Sequence, residues 1–184
     1  MNNQKNLIII TGPSGVGKGT VVKEVLKKNN KFWLSVSATT RDPRQDEKEG
    51  ENYFFLKKPK FEEMIDKQLF LEWAEFAGNY YGTPKESVNK KIKQGYKVIL
   101  EIEIEGAKQV RSKMKNVLSI FLLPPNKKEL ERRIRERATE SESSIIERLK
   151  RSHYEIDSSK DFDFHVVNND LQKTIQDVFD IIKN

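Results

Sequence analysis

Residues 7–27 read LIIITGPSGVGKGTVVKEVLK, and the three parts of this stretch decide the fold. Leu7 to Thr11 is an apolar run of strand length. Val21, Val22, Val25 and Leu26 recur at helical spacing and give the following segment one apolar face. Between strand and helix lies the glycine-rich loop GPSGVGKGT, residues 12–20. Glycines let successive backbone N–H groups turn toward one point, and the start of a helix adds positive potential there. Such a loop is suited to hold phosphate, with Lys18 reaching the outer phosphates of a nucleotide.

One position departs from the usual pattern. A Ser or Thr commonly follows the lysine and binds Mg²⁺, but here Gly19 follows and the hydroxyl comes one place later, at Thr20. Either Thr20 substitutes, or the ion is held mainly by phosphates and water.

Downstream, strand-like and helix-like segments alternate, which predicts a parallel sheet covered by helices on both faces. KVILEIEIEG places Val98, Leu100, Ile102 and Ile104 on one face of a strand, and GAKQVRSKM after it is helical. VLSIFLLPP is a buried strand stopped by two prolines. Asn126 caps a charged helix reaching about Arg137, and SIIERLKRSHYEI forms another helix. FHVVNN and LQKTIQDVFDIIK close the chain as strand and helix.

Two segments interrupt this alternation. Residues 32–83 hold short β-like pieces around one helix, KFEEMIDKQ, and predict an arm. Residues 126–150 are rich in arginine and predict a lid. The core is then 1–31, 84–125 and 151–184, within a single domain. Ligands of such sheets bind beyond the carboxyl ends of the strands, where the glycine loop, Glu101 and Glu103 converge.

The bulk composition bounds the function. The chain has 184 residues, enough for one domain with a real core. It has no cysteine, which excludes disulfides, thiolate metal sites and cysteine nucleophiles. No apolar run approaches the ~18 residues of a membrane span, and the start does not read as a signal peptide, so a cytoplasmic protein is expected. The net charge of +6 fits either nucleic acid or phosphorylated small molecules. The NYY and NYFF aromatics have few basic neighbours, which argues against a nucleic-acid partner.

The arm carries the clues to a second ligand. Arg41 and Arg44 stand three residues apart, with Tyr53 shortly after, a set able to fork onto a terminal phosphate. Glu72 lies in the apolar setting FLEWAEF, where a carboxylate needs a partner. Guanine presents N1–H and a 2-amino group side by side, which matches one carboxylate. Adenine, with an acceptor at N1, would leave buried polar groups unpaired. Glu103 could add a second acceptor.

GPSGVGKGT, SVSATTRDPR, ENYFFL, FLEWAEFAGNYYGTP, EIEIEGAKQVR and RATESESSIIERL, in this order along nearly the whole chain, resemble the guanylate kinase family. The resemblance implies a P-loop kinase core with a β-rich GMP-binding insertion and a helical lid. It implies transfer of the γ-phosphoryl group of ATP to GMP, and also to dGMP, with Mg²⁺ as cofactor. Matched motif by motif, Gly12, Pro13, Ser14, Gly15, Val16, Gly17, Lys18, Gly19 and Thr20 look like the ATP phosphate loop, and Asn168 lies toward the adenine. Arg41, Arg44, Tyr53 and Tyr81 look like ligands of the GMP phosphate. Ser37, Glu72, Thr83 and Glu103 look like guanine readers. Arg133, Arg137 and Arg148 look like lid arginines, acting in catalysis with Lys18 and Arg41. Many relatives carry Asp-x-Asp where Glu101 to Glu103 stand, so each carboxylate reaches outward by about one C–C bond, ~1.5 Å. Glu101 is read as a metal ligand through water, and Thr20 as a possible direct one.

The acceptor in such a reaction is a phosphate oxygen, already ionised, so no strong general base is needed. This agrees with His153 and His165, which have no partner at a suggestive spacing and read as surface or packing residues. Two alternatives stay open: a kinase for another phosphorylated acceptor, and a non-catalytic guanylate-kinase-like binding module. A monomer or small homo-oligomer is expected.

Overall fold

The apolar run at the start forms β1 (Leu7–Thr11), buried along its whole length. The structure is a computed structural model that describes residues 5–137 and 141–183. β1 is the middle of a five-stranded, all-parallel sheet. β7 (Lys97–Glu101) and β8 (Val117–Leu123) flank it, and β2 (Phe32–Leu34) and β9 (Phe164–Val167) are the edges. A strand buried on both faces needs no polar side, which is why β1 reads as LIII rather than as an alternation.

Period-two geometry sends its residues to two separate cores. Ile8 and Ile10 join Ile99, Ile120 and Leu122 beneath α1 (Lys18–Lys27) and α7 (Leu171–Lys183). Leu7 and Ile9 join Val98, Leu100 and Phe121 beneath α3 (Lys85–Lys93) and α4 (Ile104–Lys113).

The arm has its own mixed sheet. β3 (Ser37–Thr39) pairs parallel with β4 (Tyr53–Phe55) and antiparallel with β6 (Asn79–Pro84), which pairs antiparallel with β5 (Phe70–Phe76). α2 (Lys58–Asp66) covers it, with Phe61 stacked 4.3 Å from Phe70. The Arg-rich segment forms α5 (Lys127–Arg137), with Asn126 Oδ1 accepting from Glu129 N at 2.8 Å, and α6 (Glu142–Asp157) begins at the Ser141 cap.

Three expectations change, and one strand is new. WLSVSATT is two strands in different sheets, so the arm's own sheet starts at Ser37, while Phe32–Leu34 pairs with β7 in the core. NYYGTP is a strand, completing a hairpin with FLEWAEF. The strand of KVILEIEIEG stops at Glu101; Ile104 lies inside α4 and Glu103 is its N-cap residue. Finally, α6 runs unbroken across 150–151, so one rigid helix spans the expected border between lid and core.

Candidate active site

The glycine loop leaves β1 at its carboxyl end and enters α1 at Gly17. Gly17 has φ +96°, a conformation that L side chains rarely adopt, and a β-carbon there would lie 2.8 Å from Asn168 Nδ2. Lys18 Nζ donates to Gly12 O at 2.6 Å and lies 3.8 Å from Glu103 Oε1, so it is folded back over the loop. Glu101 stands on β7 in register with Ile10. Burial raises its pKa, and Lys18 opposes that shift. A β-carbon on Gly19 would lie 3.5 Å from Glu101 Oε1, so the glutamate faces the position where a hydroxyl is missing. Thr20 is exposed.

Pro13, Ser14 and Val16 complete the loop, and two arginines meet it. Arg148 Nη2 donates to Ser14 Oγ at 2.7 Å. Arg133 donates from both terminal nitrogens to Asn168 O at 3.1 Å, and from Nε to Glu129 Oε1 at 2.8 Å. The Arg137 side chain lies outside what the structure describes. Asn168 is buried, and its amide donates to Val16 O at 2.7 Å. This side chain therefore clamps the loop rather than standing free toward an adenine. It does border a groove of about 300 Å³ with Gly15, Gly17, Thr20, Arg133 and Leu171. A larger hollow of about 670 Å³ between β9 and α7 contains none of the expected site residues.

In the arm, β5 shifts register between Phe70 and Trp73, and Phe70, Leu71 and Glu72 are consecutively buried. Regular alternation would turn one of two neighbours outward; an irregularity here lets Glu72 turn inward as well. α4 satisfies the displaced backbone. Gln109 donates to Trp73 O at 2.9 Å and accepts from Trp73 N at 3.2 Å, while Lys113 donates to Leu71 O at 3.2 Å. Glu72 is 6% exposed, and its Oε1 accepts from the buried Thr83 hydroxyl at 2.6 Å. Burial raises its pKa; the Thr83 hydrogen bonds pull the other way.

Gly106, on the first turn of α4, completes this seat. A β-carbon there would fall 2.6 Å from Glu72 Oε2, so only glycine leaves the carboxylate room. The carboxylate also gains from the positive end of the α4 dipole. Sequence reading missed Gly106 and Gln109, although a glycine within a helical pattern was the available signal.

Arg41 lies with its guanidinium 5.5 Å from the Tyr53 ring centre, and Tyr53 and Tyr81 are edge to face at 6.1 Å. Arg41 Nη2 donates to Glu47 Oε1 at 2.8 Å, and Glu47 Oε2 accepts from Arg44 N at 2.8 Å. Glu47, unmarked by sequence reading, holds in this structure the anionic place beside both arginines, and the Arg41 hydrogen bond lowers its pKa. The Arg44 side chain is exposed, and Ser37 lies in register with Tyr53. His165 bonds the Ser159 carbonyl at 2.9 Å and His153 is exposed, in keeping with packing and surface roles.

A phosphate loop closing the central strand of a parallel sheet, facing an arm with one buried carboxylate, defines a nucleotide kinase of the P-loop class. Comparison with known proteins narrows this. The Guanylate kinase family model matches residues 4–184. The chain is 62% identical over 183 residues to a guanylate kinase of Prochlorococcus marinus (strain MIT 9312), and 60% identical over 184 residues to that of P. marinus subsp. pastoris, each covering 100% of both chains. The crystal structure of guanylate kinase from Anaplasma phagocytophilum superposes with a TM-score of 0.76 at 30% identity, covering 96% of this chain and 84% of that one. The chain belongs to the guanylate kinase family.

Proposed function

We infer that the arm and the loop hold the two substrates of one reaction, the transfer of the γ-phosphoryl group of ATP to GMP, giving ADP and GDP. The observation that carries the acceptor assignment is the buried Glu72–Thr83 pair at 2.6 Å. An ionised Glu72 accepts from N1–H and the 2-amino group of guanine, while Thr83 and Ser37 supply hydroxyls toward O6 and Glu103 adds a second acceptor. Arg41, Arg44, Tyr53 and Tyr81 bind the acceptor phosphate once it displaces Glu47, and their charge offsets its repulsion of ATP. dGMP presents the same base edge and the same phosphate to these residues and is proposed as a second acceptor.

On the donor side the loop N–H groups, Lys18, Arg133, Arg137 and Arg148 stabilise charge on the transferring group during in-line attack. Asn168 acts by clamping the loop beside the adenine groove. The donor set suits Mg²⁺ held chiefly by substrate. No group of three or more His, Cys, Asp or Glu able to cage an ion occurs among the described residues, whereas the Glu101 carboxylate faces Gly19 and Thr20 follows in the first turn of α1. Mg²⁺ bound with ATP would supply further positive charge to the phosphates. Movement of the arm, from Ser37 onward, and of the lid helices α5 and α6 toward each other excludes water, whose attack would waste ATP. Among the described residues no helix is long and apolar enough to cross a membrane, and a cytoplasmic setting suits a cysteine-free enzyme that draws on ATP.

A coupled assay of ADP release with Mg-ATP and GMP, dGMP, AMP, CMP or UMP tests the acceptor. Turnover with GMP and dGMP alone is expected. Turnover with AMP overturns the carboxylate reading, and silence with all five, in protein that binds ATP, turns the case toward a binding module.

A further inference from the structure

α6 turns two charged side chains toward this site that the mechanism above leaves unused. Glu155 is 2% exposed; its Oε1 accepts from Arg151 Nε at 3.0 Å, and its Oε2 has no hydrogen-bond partner among the described residues. Burial and repulsion from Glu103 both raise its pKa. Arg151 is half-exposed, yet its guanidinium has neighbours on three sides. Besides Glu155, Nη2 lies 3.5 Å from Glu103 Oε2, and Cζ stands 5.6 Å from the Phe76 ring centre. Phe76 ends β5 at the tip of the arm's hairpin and is 59% exposed, so a cation over its face gives this outward aromatic a partner. Three separate parts of the molecule therefore meet at one side chain.

We propose that Arg151 is a positioning residue, seated by Glu155 and Phe76, that sets the Glu103 carboxylate for guanine and ties the arm to α6. The proposal rests on the reading of Glu103 as a guanine acceptor. Lys18 is a second cation near Glu103, at 3.8 Å. Sharing the carboxylate with Arg151 keeps it from settling on the lysine that the donor phosphates require. The task needs a planar fork, because Nε and Nη2 engage two carboxylates at once, and a lysine offers a single charged point.

The test compares KM for GMP and for IMP, which lacks the 2-amino group, at saturating Mg-ATP. The proteins are wild type, Arg151→Ala, Arg151→Lys, Glu103→Gln and the Arg151→Ala/Glu103→Gln pair, each checked for an unchanged Tm. Arg151→Ala is expected to raise KM for GMP about three- to fivefold, the range of an exposed charge pair. It should also narrow the preference for GMP over IMP, leave KM for ATP in place, and add nothing in the Glu103→Gln background. Arg151→Lys should resemble the alanine variant, and Phe76→Leu should shift KM for GMP in the same direction. If Glu103→Gln raises KM for GMP while Arg151→Ala does not, or if the two effects simply multiply, the proposal falls and the reading of Glu103 stands. If Glu103→Gln leaves KM for GMP unchanged, that reading falls and takes the proposal with it.

Discussion

Two glycines in this enzyme each face a glutamate, one on the donor side and one on the acceptor side, and the two pairs differ in a single distance. A β-carbon on Gly19 would lie 3.5 Å from Glu101, ordinary contact; one on Gly106 would lie 2.6 Å from Glu72, inside any permitted separation. On the donor side the loop is tight at Gly12, Gly15 and Gly17, where a β-carbon would lie 2.5 to 2.8 Å from its nearest atom, but at Gly19, the exposed start of α1, it has slack. The acceptor site, as proposed above, hangs on one buried carboxylate wedged between β5, β6 and α4, and at Gly106 it has none. Residue 19 can therefore take a side-chain carbon without moving its glutamate, while residue 106 cannot.

The sharpest way to break this comparison is to remove a donor-side charge that backbone cannot replace. Lys18→Ala is expected to lower kcat by at least about 100-fold, the scale of losing a preorganised charge on the transferring group. Tm should hold. A variant keeping more than about a tenth of wild-type kcat, a barrier change under ~1.4 kcal/mol, removes Lys18 from the mechanism.

Glu72→Gln comes next, and it should separate function from stability. Losing a charged acceptor raises KM for GMP about 10- to 100-fold, since such bonds contribute roughly 1.5–3 kcal/mol. KM for ATP should stay. Without GMP the same change should stabilise the fold. Burial raises the folded pKa of Glu72 above its usual 4.5, so the folded state holds the proton more tightly than the unfolded chain. That contribution is complete below the unfolded value and is lost as pH rises through the folded one. Melting curves of the free proteins from pH 4 to 8 should therefore diverge as pH rises, with Glu72→Gln ahead by about 2–4 °C at pH 7, or ~1 kcal/mol. Parallel curves would mean that Glu72 sits in its pocket without strain.

The same contrast explains what the sequence disclosed. LIII followed by glycines is legible because local chemistry creates both features: a doubly buried strand must be apolar, and a loop presenting N–H groups must bend. The parallel core and the ATP loop followed from these. β6 was missed because NYYGTP carries turn-like residues, and only pairing with β3 and β5 makes it a strand. β2 was placed in the arm because nothing local to Phe32–Leu34 announces its partner, β7, over 60 residues away. Glu103 left its strand because the chain turns into α4 there, a switch from period two to helical spacing within EIEIEG. Asn168 is expected toward the adenine; the further bond of its amide to Val16 O was silent because it joins residues far apart in the chain. Gly106 and Gln109 were silent for the same reason: their partners, Glu72 and Trp73, are more than 30 residues distant.

Gly106→Ala tests the tight pair directly. The added methyl must displace Glu72, α4 or both, at a cost of roughly 1–3 kcal/mol for overpacking. Alanine's better helix propensity offsets up to ~1 kcal/mol of this. KM for GMP should rise about three- to tenfold while KM for ATP holds, and the Glu72→Gln background should absorb much of the effect. Equal losses for both substrates would point to general damage in α4 rather than a shifted carboxylate.

Gly19→Ala should do the least, and its smallness is the point. No positive φ requires glycine here, and the nearest atom to the new methyl is Glu101 Oε1 at ordinary contact distance. The position lies in the first turn of α1 and is exposed, so alanine should add about 0.5–1 kcal/mol through helix propensity and a stiffer unfolded chain. Tm is expected to rise by about 1–4 °C, with kcat and both KM values within twofold. A large loss of kcat, with KM for GMP unchanged, would show that the space between residue 19 and Glu101 is needed during turnover. Residue 19 would then be as intolerant of one carbon as residue 106, and the two glycines would be doing the same job.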